Sequence, residues 1–186
     1  MLRKIDMINQ FESKLDTKLL DASFQKLASD FHCGNQYIDL FLRSAQALDD
    51  SFGKTYVWLN ESGDEIIGFY NISAGSVDYL EDGYRYKMGG AIHINEFAIK
   101  QRYQGVAVTE FANISDLLLD DCLERIKYIR NNHIGCSFVT LQSTKEGYSL
   151  YLRHDFEDIE EDMGITKNQP AEDGCKAMYM VIDLAV

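Results

Sequence analysis

Between Ala91 and Ala107 the chain reads Ala-Ile-His-Ile-Asn-Glu-Phe-Ala-Ile-Lys-Gln-Arg-Tyr-Gln-Gly-Val-Ala. The first nine residues alternate in the manner of a strand. Gln101–Gly105 is a polar turn, and an amphipathic helix is expected from about Val106. A strand that runs into a glycine turn before a helix exposes backbone N–H groups and the positive end of a helix dipole. Gly105 would let that backbone approach a ligand closely. The chemistry is that of an anion site, suited to a pyrophosphate. The same spacing also suits an ordinary strand-to-helix bend in which Gly105 serves the turn alone.

Other reactive residue types lack comparable order. His32, His93, His133 and His154 share no helix-face spacing, and Cys33, Cys122, Cys136 and Cys175 include no Cys-x-x-Cys pair. A metal site is therefore not expected, and the cysteines read as free thiols in a reducing compartment. No Gly-x-Ser-x-Gly elbow is present, and His154 beside Asp155 is no evidence for a triad. From Asp155 to Asp173 the chain holds eight acidic residues against Lys167 alone. A solvated loop is the ordinary meaning of such a run. A loop that attracts a cationic amine is the functional one.

Periodicity supplies the elements that must carry these residues. Gln36–Leu48 places Tyr37, Leu40, Phe41, Ala45 and Leu48 on one helical face, with Asn35 or Gly34 at its start. Thr55–Leu59 and Ile66–Ile72 flank a turn at Asn60–Asp64 and read as an antiparallel hairpin. Asp78–Gly90 forms a long connection or a hairpin arm. After the strand Ala91–Ile99, a helix from about Val106 to Arg130 presents Ala107, Phe111, Ile114, Leu118, Cys122, Ile126 and Ile129 on one face. A strand at Cys136–Leu141, a shorter helix at about Lys145–Arg153 and a final strand at Ala177–Leu184 follow. Strand, helix and strand in that order make a crossover unit with parallel strands. The expected fold is α/β in the broad sense, a mixed sheet with helices packed on it, in one domain spanning residues 1–186.

With those elements in place, Arg102-Tyr103-Gln104-Gly105-Val106-Ala107 resembles the Arg/Gln-x-x-Gly-x-Gly/Ala signature of the GCN5-related N-acetyltransferase (GNAT) superfamily. Phe97-Ala98-Ile99 looks like the strand segment that precedes it, and Ile66–Tyr70 is similar to the family's third strand. Tyr151-Leu152-Arg153-His154-Asp155-Phe156 resembles a Tyr-x-x-x-Gly-Phe segment, with Asp155 in place of the glycine. Phe31-His32-Cys33-Gly34-Asn35, followed by Leu40-Phe41-Leu42, resembles a subgroup that includes acetyltransferase toxins of toxin–antitoxin modules. The resemblance spans roughly residues 24 to 184. It implies a mostly antiparallel central sheet with one parallel strand pair and helices on both faces.

The resemblance also implies acetyl-CoA as cosubstrate, without a metal. Arg102, Tyr103, Gln104, Gly105, Val106, Ala107 and Val108 would form its pyrophosphate turn. Phe97, Ala98 and Ile99 would bond the pantetheine arm through their backbone, and Ser143 would join the cofactor site. Transfer of the acetyl group requires an amine that has lost its proton, donors for the oxyanion and an acid for the departing sulfur. Tyr151 matches the family's acid. Glu96 is the candidate base, and an ordered water is the alternative. Alternation puts Glu96 and Ala98 on one face of the strand and Asn95 and Phe97 on the other.

The formal charge of −12, from 18 basic and 30 acidic residues, disfavours general nucleic-acid or membrane-surface binding and favours cationic partners. Met1–Lys18 lacks the apolar stretch of a secretory leader, so a cytoplasmic protein is expected. The first expectation is thus an N-acetyltransferase acting on a small-molecule or peptide amine, with homodimerisation plausible. A toxin-type acetyltransferase of aminoacyl-tRNA is the alternative, and a non-catalytic CoA-binding or interaction module is a third.

Overall fold

The computed structural model describes residues 15–110, 112–166 and 174–182. Among them, strands β1 (Thr17–Leu19), β2 (Lys54–Leu59), β3 (Ile66–Glu81), β4 (Tyr84–Ile99), β5 (Phe138–Ser143), β6 (Glu157–Asp158), β7 (Met163–Thr166) and β8 (Lys176–Val181) form one mixed sheet. Its hydrogen-bonded order is β1-β2-β3-β4-β5-β8-β6, with β7 also on β3. Helices α1 (Ala22–Gln25), α2 (Gln36–Arg43), α3 (Ile114–Asn132) and α4 (Tyr148–Arg153), with four short 3₁₀ turns, complete the described elements. None of the described helices is long and apolar enough to cross a membrane.

The expected crossover is present. β4 and β5 are parallel, with Ala91 opposite Phe138 and Ile94 opposite Leu141, and α3 lies between them in sequence. The remaining registered pairs are antiparallel. The connection at 78–90 is a hairpin arm. Asp82 and Gly83 both take positive φ (51° and 79°), the backbone of a two-residue turn matched to strand twist.

Contacts divide the chain into two compact units. The first comprises Met1–Asn71 and Glu96–Leu123. Its core gathers Leu20, Phe31, Phe41, Leu42, Val57, Ile66 and Phe69. Phe31 meets Phe69 edge-on at 5.3 Å, and Phe41 stacks on Phe69 at 6.4 Å. β3 is buried without interruption from Ile66 to Ile72, as in a strand covered on both faces. Gly68 is required there: a Cβ would stand 2.7 Å from Ile99 Cδ1, 2.8 Å from Leu118 Cδ2 and 2.9 Å from the Ala98 carbonyl oxygen. The end of β4 and helix α3 both pack against that bare backbone. Thr17 Oγ1 and the buried Tyr70 hydroxyl each donate to Asp121 Oδ2 at 2.6 Å, tying β1 and β3 to α3.

The second unit comprises Ile72–Asn95 and Glu124–Val186. Val77, Ala91 and Phe138 pack there with Met163, Ile165 and Tyr179. The acidic run is not a single loop. Glu157–Asp158 pairs with β8 and Met163–Thr166 pairs with β3, while residues 167–173 lie outside the described part.

Several boundaries move from where periodicity puts them. The helix expected over 36–48 ends at Arg43, because Ser44 is extended (φ −84°, ψ 165°) and a separate 3₁₀ turn follows at Ala45–Leu48. It buries Phe41 and Leu42 and leaves Tyr37 and Leu40 exposed, so the assigned face is rotated. The strand expected at 136–141 is Phe138–Ser143, the helix from 145 begins at Tyr148, and the last strand is Lys176–Val181. Phe111 and residues 183–186 lie outside the described part. β1 has no counterpart in the sequence reading.

Candidate functional site

At the end of β4 the chain is fixed before it turns. Lys100 donates its amide to the Ile67 carbonyl and Gln101 to that of His32, both at 2.8 Å. A 3₁₀ turn at Gln101–Tyr103 leads to Gly105, whose φ of +67° is a left-handed conformation. The amides of Tyr103, Gln104 and Val106 bond back to carbonyls within the turn. The N–H groups of Gly105 and Ala107 have no protein acceptor among the described residues, and both residues are exposed. Two such donors, one residue apart, are what an anion takes.

The helix does not start where it is expected. Past Gly105 the chain is held by short-range bonds: Val108 and Thr109 donate to the Ala112 carbonyl and Ile114 donates to that of Val106. Helix α3 begins at Ile114, where the Asn113 amide donates to the Asp116 carboxylate at 2.8 Å. That arrangement is one half of a capping box, which fixes Asn113, three residues before Asp116, as the N-cap. The Ile114 amide at the helix start reaches the Val106 carbonyl at 3.0 Å and Ala107 bridges Asn113, so the first turn of α3 lies beside the residues that follow Gly105 although it begins later in sequence than expected. The two amides and the positive end of that helix therefore stand together.

Side chains brace this turn from below. Both Glu65 oxygens are engaged: Oε1 accepts from Lys100 Nζ at 2.6 Å, and Oε2 accepts from the Tyr103 hydroxyl at 2.9 Å and also from Arg102 Nη2. The Arg102 guanidinium lies 4.8 Å over the Tyr103 ring. Gln104 Nε2 donates to the Cys33 and Ile99 carbonyls at 2.6 and 2.9 Å. The Phe31–Gly34 motif is thus joined to the turn through the carbonyls of His32 and Cys33.

That motif has its own anchor. Buried Asp39 accepts from the Cys33 amide at 2.8 Å. Arg43 donates to the Phe31 and Ala28 carbonyls. Burial, with Asp39 nearby, pushes the Cys33 thiol up to about 12. Cys33 is consequently an unreactive thiol. Glu65, Asp39 and Arg43 escaped the sequence reading. The side-chain partners of Glu65 are distant in the chain, whereas Asp39 accepts from Cys33 six residues before it and stands four before Arg43 on α2, pairs that carry no motif of their own.

Of the remaining candidates, Glu96 and Phe97 are half-buried, and Ala98 and Ile99 are buried at the end of β4. The parallel ladder stops at Ile94, so Phe97–Ile99 lie past its last pair. Val108 is buried, with its amide spent on Ala112.

Ser143 and Tyr151 belong to the second unit, whereas Glu96 belongs to the first. Ser143 is buried at the end of β5 and donates its hydroxyl to the Thr144 carbonyl at 2.8 Å. Tyr151, 6 % exposed on α4, packs its ring edge-on against Phe156 at 5.6 Å. The Tyr151 carbonyl accepts from the His154 and Phe156 amides. Asp155 takes φ +63°, so the turn survives although the expected glycine is replaced.

Within the acidic run, Asp158 accepts from Lys176 and from the Tyr148 hydroxyl, which takes up part of its charge. Among the described residues no three His, Cys, Asp or Glu side chains gather to hold a metal.

No protein-family model matches the chain. Probable toxin TacT of Sinorhizobium fredii (strain NBRC 101917 / NGR234) is 27% identical over 146 residues, 69% of this chain and 77% of the relative. Among solved structures, a crystal structure of a bacterial toxin aligns with TM-score 0.67 and 18% identity, covering 90% of each chain. AtaTR bound with AcCoA aligns with TM-score 0.66 and 15% identity over 90% of this chain and 94% of that one. AtaT complexed with acetyl-methionyl-tRNAfMet gives 0.63 and 15% over 82% and 94%. The fold is that of the GNAT acetyltransferases, and bacterial toxin acetyltransferases are distant relatives of this chain in sequence and structure.

Proposed function

We propose that this chain is an acetyl-CoA-dependent N-acetyltransferase of the toxin type, acting as one catalytic domain on the amine of an aminoacyl-tRNA. The observation that carries the cosubstrate is the pair of exposed amides at Gly105 and Ala107, without a protein acceptor among the described residues, in a turn that matches the GNAT signature. Kinship with TacT, and a fold shared with AtaT in its acetyl-methionyl-tRNAfMet complex, favour this acceptor over a small cationic amine. The net charge of −12 then confines nucleic-acid contact to the charged end of the tRNA, because a long phosphate track would be repelled.

In this reading Gly105 and Ala107 hold the diphosphate, with Arg102, Tyr103, Gln104, Val106 and Val108 shaping the turn. The backbone of Phe97–Ile99 aligns the pantetheine arm, and Ser143 contributes from the end of β5. Glu96, or a water, removes the amine proton. The amine attacks the thioester carbonyl, backbone donors near Ala98 and Ile99 stabilise the oxyanion, and Tyr151 protonates the departing sulfur.

The test is acetyl transfer from labelled acetyl-CoA to a mixed pool of charged tRNAs, run beside a panel of polyamines and basic peptides. Label in N-acetyl-aminoacyl-tRNA is the expected outcome. Label in polyamines alone would restore the small-amine reading, which the acidic residues at 155–162 support. CoA binding with no transfer to any acceptor would favour the non-catalytic module.

A further inference from the structure

Arg102 opens the signature that resemblance assigns to the coenzyme, yet its guanidinium is bonded to Glu65 and to the Tyr103 hydroxyl. Lys100 is bonded to the same carboxylate. Glu65 immediately precedes β3, and its side chain is only 13 % exposed. Its backbone is fixed as well: its amide donates to Asn60 Oδ1 at 3.1 Å, and its carbonyl accepts from the Asn60 amide at 3.0 Å. A single anchored carboxylate therefore holds residues 100, 102 and 103, directly ahead of the two open amides.

Two effects of that carboxylate oppose each other. As a charge, Glu65 cancels one of the two cations beside the turn and so weakens attraction for a diphosphate. As a brace, it fixes the segment leading into Gly105, so ordering that segment need not be charged against ligand binding. Lys100 is mostly buried and in direct contact with Glu65, whereas Arg102 is largely solvent-exposed. Solvent screens what the freed guanidinium would add. Ordering of consecutive backbone residues is not screened.

The geometry points to Glu65 as the positioning residue of the coenzyme turn, an acidic side chain that strengthens the binding of an anionic ligand. This rests on the acetyl-CoA reading above. The test is calorimetric titration of wild-type protein, Glu65→Gln and Tyr103→Phe with CoA, well below the melting temperature of each, with melting curves recorded in parallel. Glu65→Gln is expected to weaken CoA binding by about tenfold, although it leaves the turn more positive. Tyr103→Phe keeps every charge and is expected to weaken binding in the same direction by less.

Unchanged or tighter CoA binding in Glu65→Gln would overturn the proposal, since a charge effect alone predicts that sign. A lowered melting temperature with unchanged affinity would also overturn it, making Glu65 a merely stabilising residue. If Glu65→Gln does not fold, Tyr103→Phe decides, and undiminished affinity there counts against the brace. Failure of the wild-type protein to bind CoA would instead remove the acetyl-CoA reading itself.

Discussion

In residues 99–108 side chains are spent on the protein, and the backbone is what remains for a ligand. Glu65, Lys100, Arg102, Tyr103 and Gln104 bond one another and nearby carbonyls, while Gly105 and Ala107 keep their amides. In residues 143–156 the assignment is reversed. The backbone closes on itself through the Gly147 and Tyr151 carbonyls, and the candidate for chemistry is one side-chain hydroxyl. A binding function carried by backbone should tolerate many side-chain changes yet fail when the backbone is re-routed. A function carried by one oxygen should fail when that oxygen alone is removed.

The largest effect should come from Tyr151→Phe. The ring and its packing on Phe156 are kept, so CoA affinity should stay within about twofold while kcat falls by roughly 10²-fold or more, the scale of a lost general acid. Steady-state kinetics with parallel calorimetry checks this. Equal loss of affinity and rate would erase the contrast between the two regions.

Gly68→Ala should destabilise the protein by about 1–3 kcal/mol, read by denaturant titration, because the new methyl meets the Ala98 carbonyl at 2.9 Å. Wild-type stability would mean that the end of β4 is not held as described. Gly105→Ala should cost about 1–2 kcal/mol of stability from its left-handed backbone, read by denaturant titration, and should weaken CoA binding, read by calorimetry. No protein atom lies within 4 Å of the added Cβ, so the stability loss would report backbone conformation and not a clash within the protein. The smallest change should be a gain. Asp155→Gly relieves a non-glycine residue at φ +63° and should stabilise by about 0.5–1 kcal/mol without altering kcat. A loss of kcat would mean that Asp155 acts on Tyr151 and does more than complete a turn.

What the sequence disclosed followed chain distance. The hairpin, the crossover and the Gly105 turn depend on alternation, helical period and one glycine, all local signals. Periodicity places the start of α3 too early because Ala107, Ile114 and Leu118 share one helical period although the helix begins only at Ile114. The contrary signal, Asn113-x-x-Asp116, was present as a capping pair. Periodicity makes helix α2 too long because its apolar period runs through Ser44, whose extended backbone ends the helix. Glu65 left no trace in periodicity, since its partners lie more than thirty residues away and only tertiary structure unites them. Tyr151 and Ser143 were reached through resemblance, and their local packing does not by itself disclose a role.

Amide resonances offer the sharpest view of the proposed phosphate turn. In a ¹⁵N-labelled sample titrated with CoA, Gly105 and Ala107 should show the largest downfield proton shifts, and pantetheine, which lacks the diphosphate, should leave both in place. If CoA binds while those two signals stay where they were, the diphosphate is held elsewhere and the account of this turn is wrong.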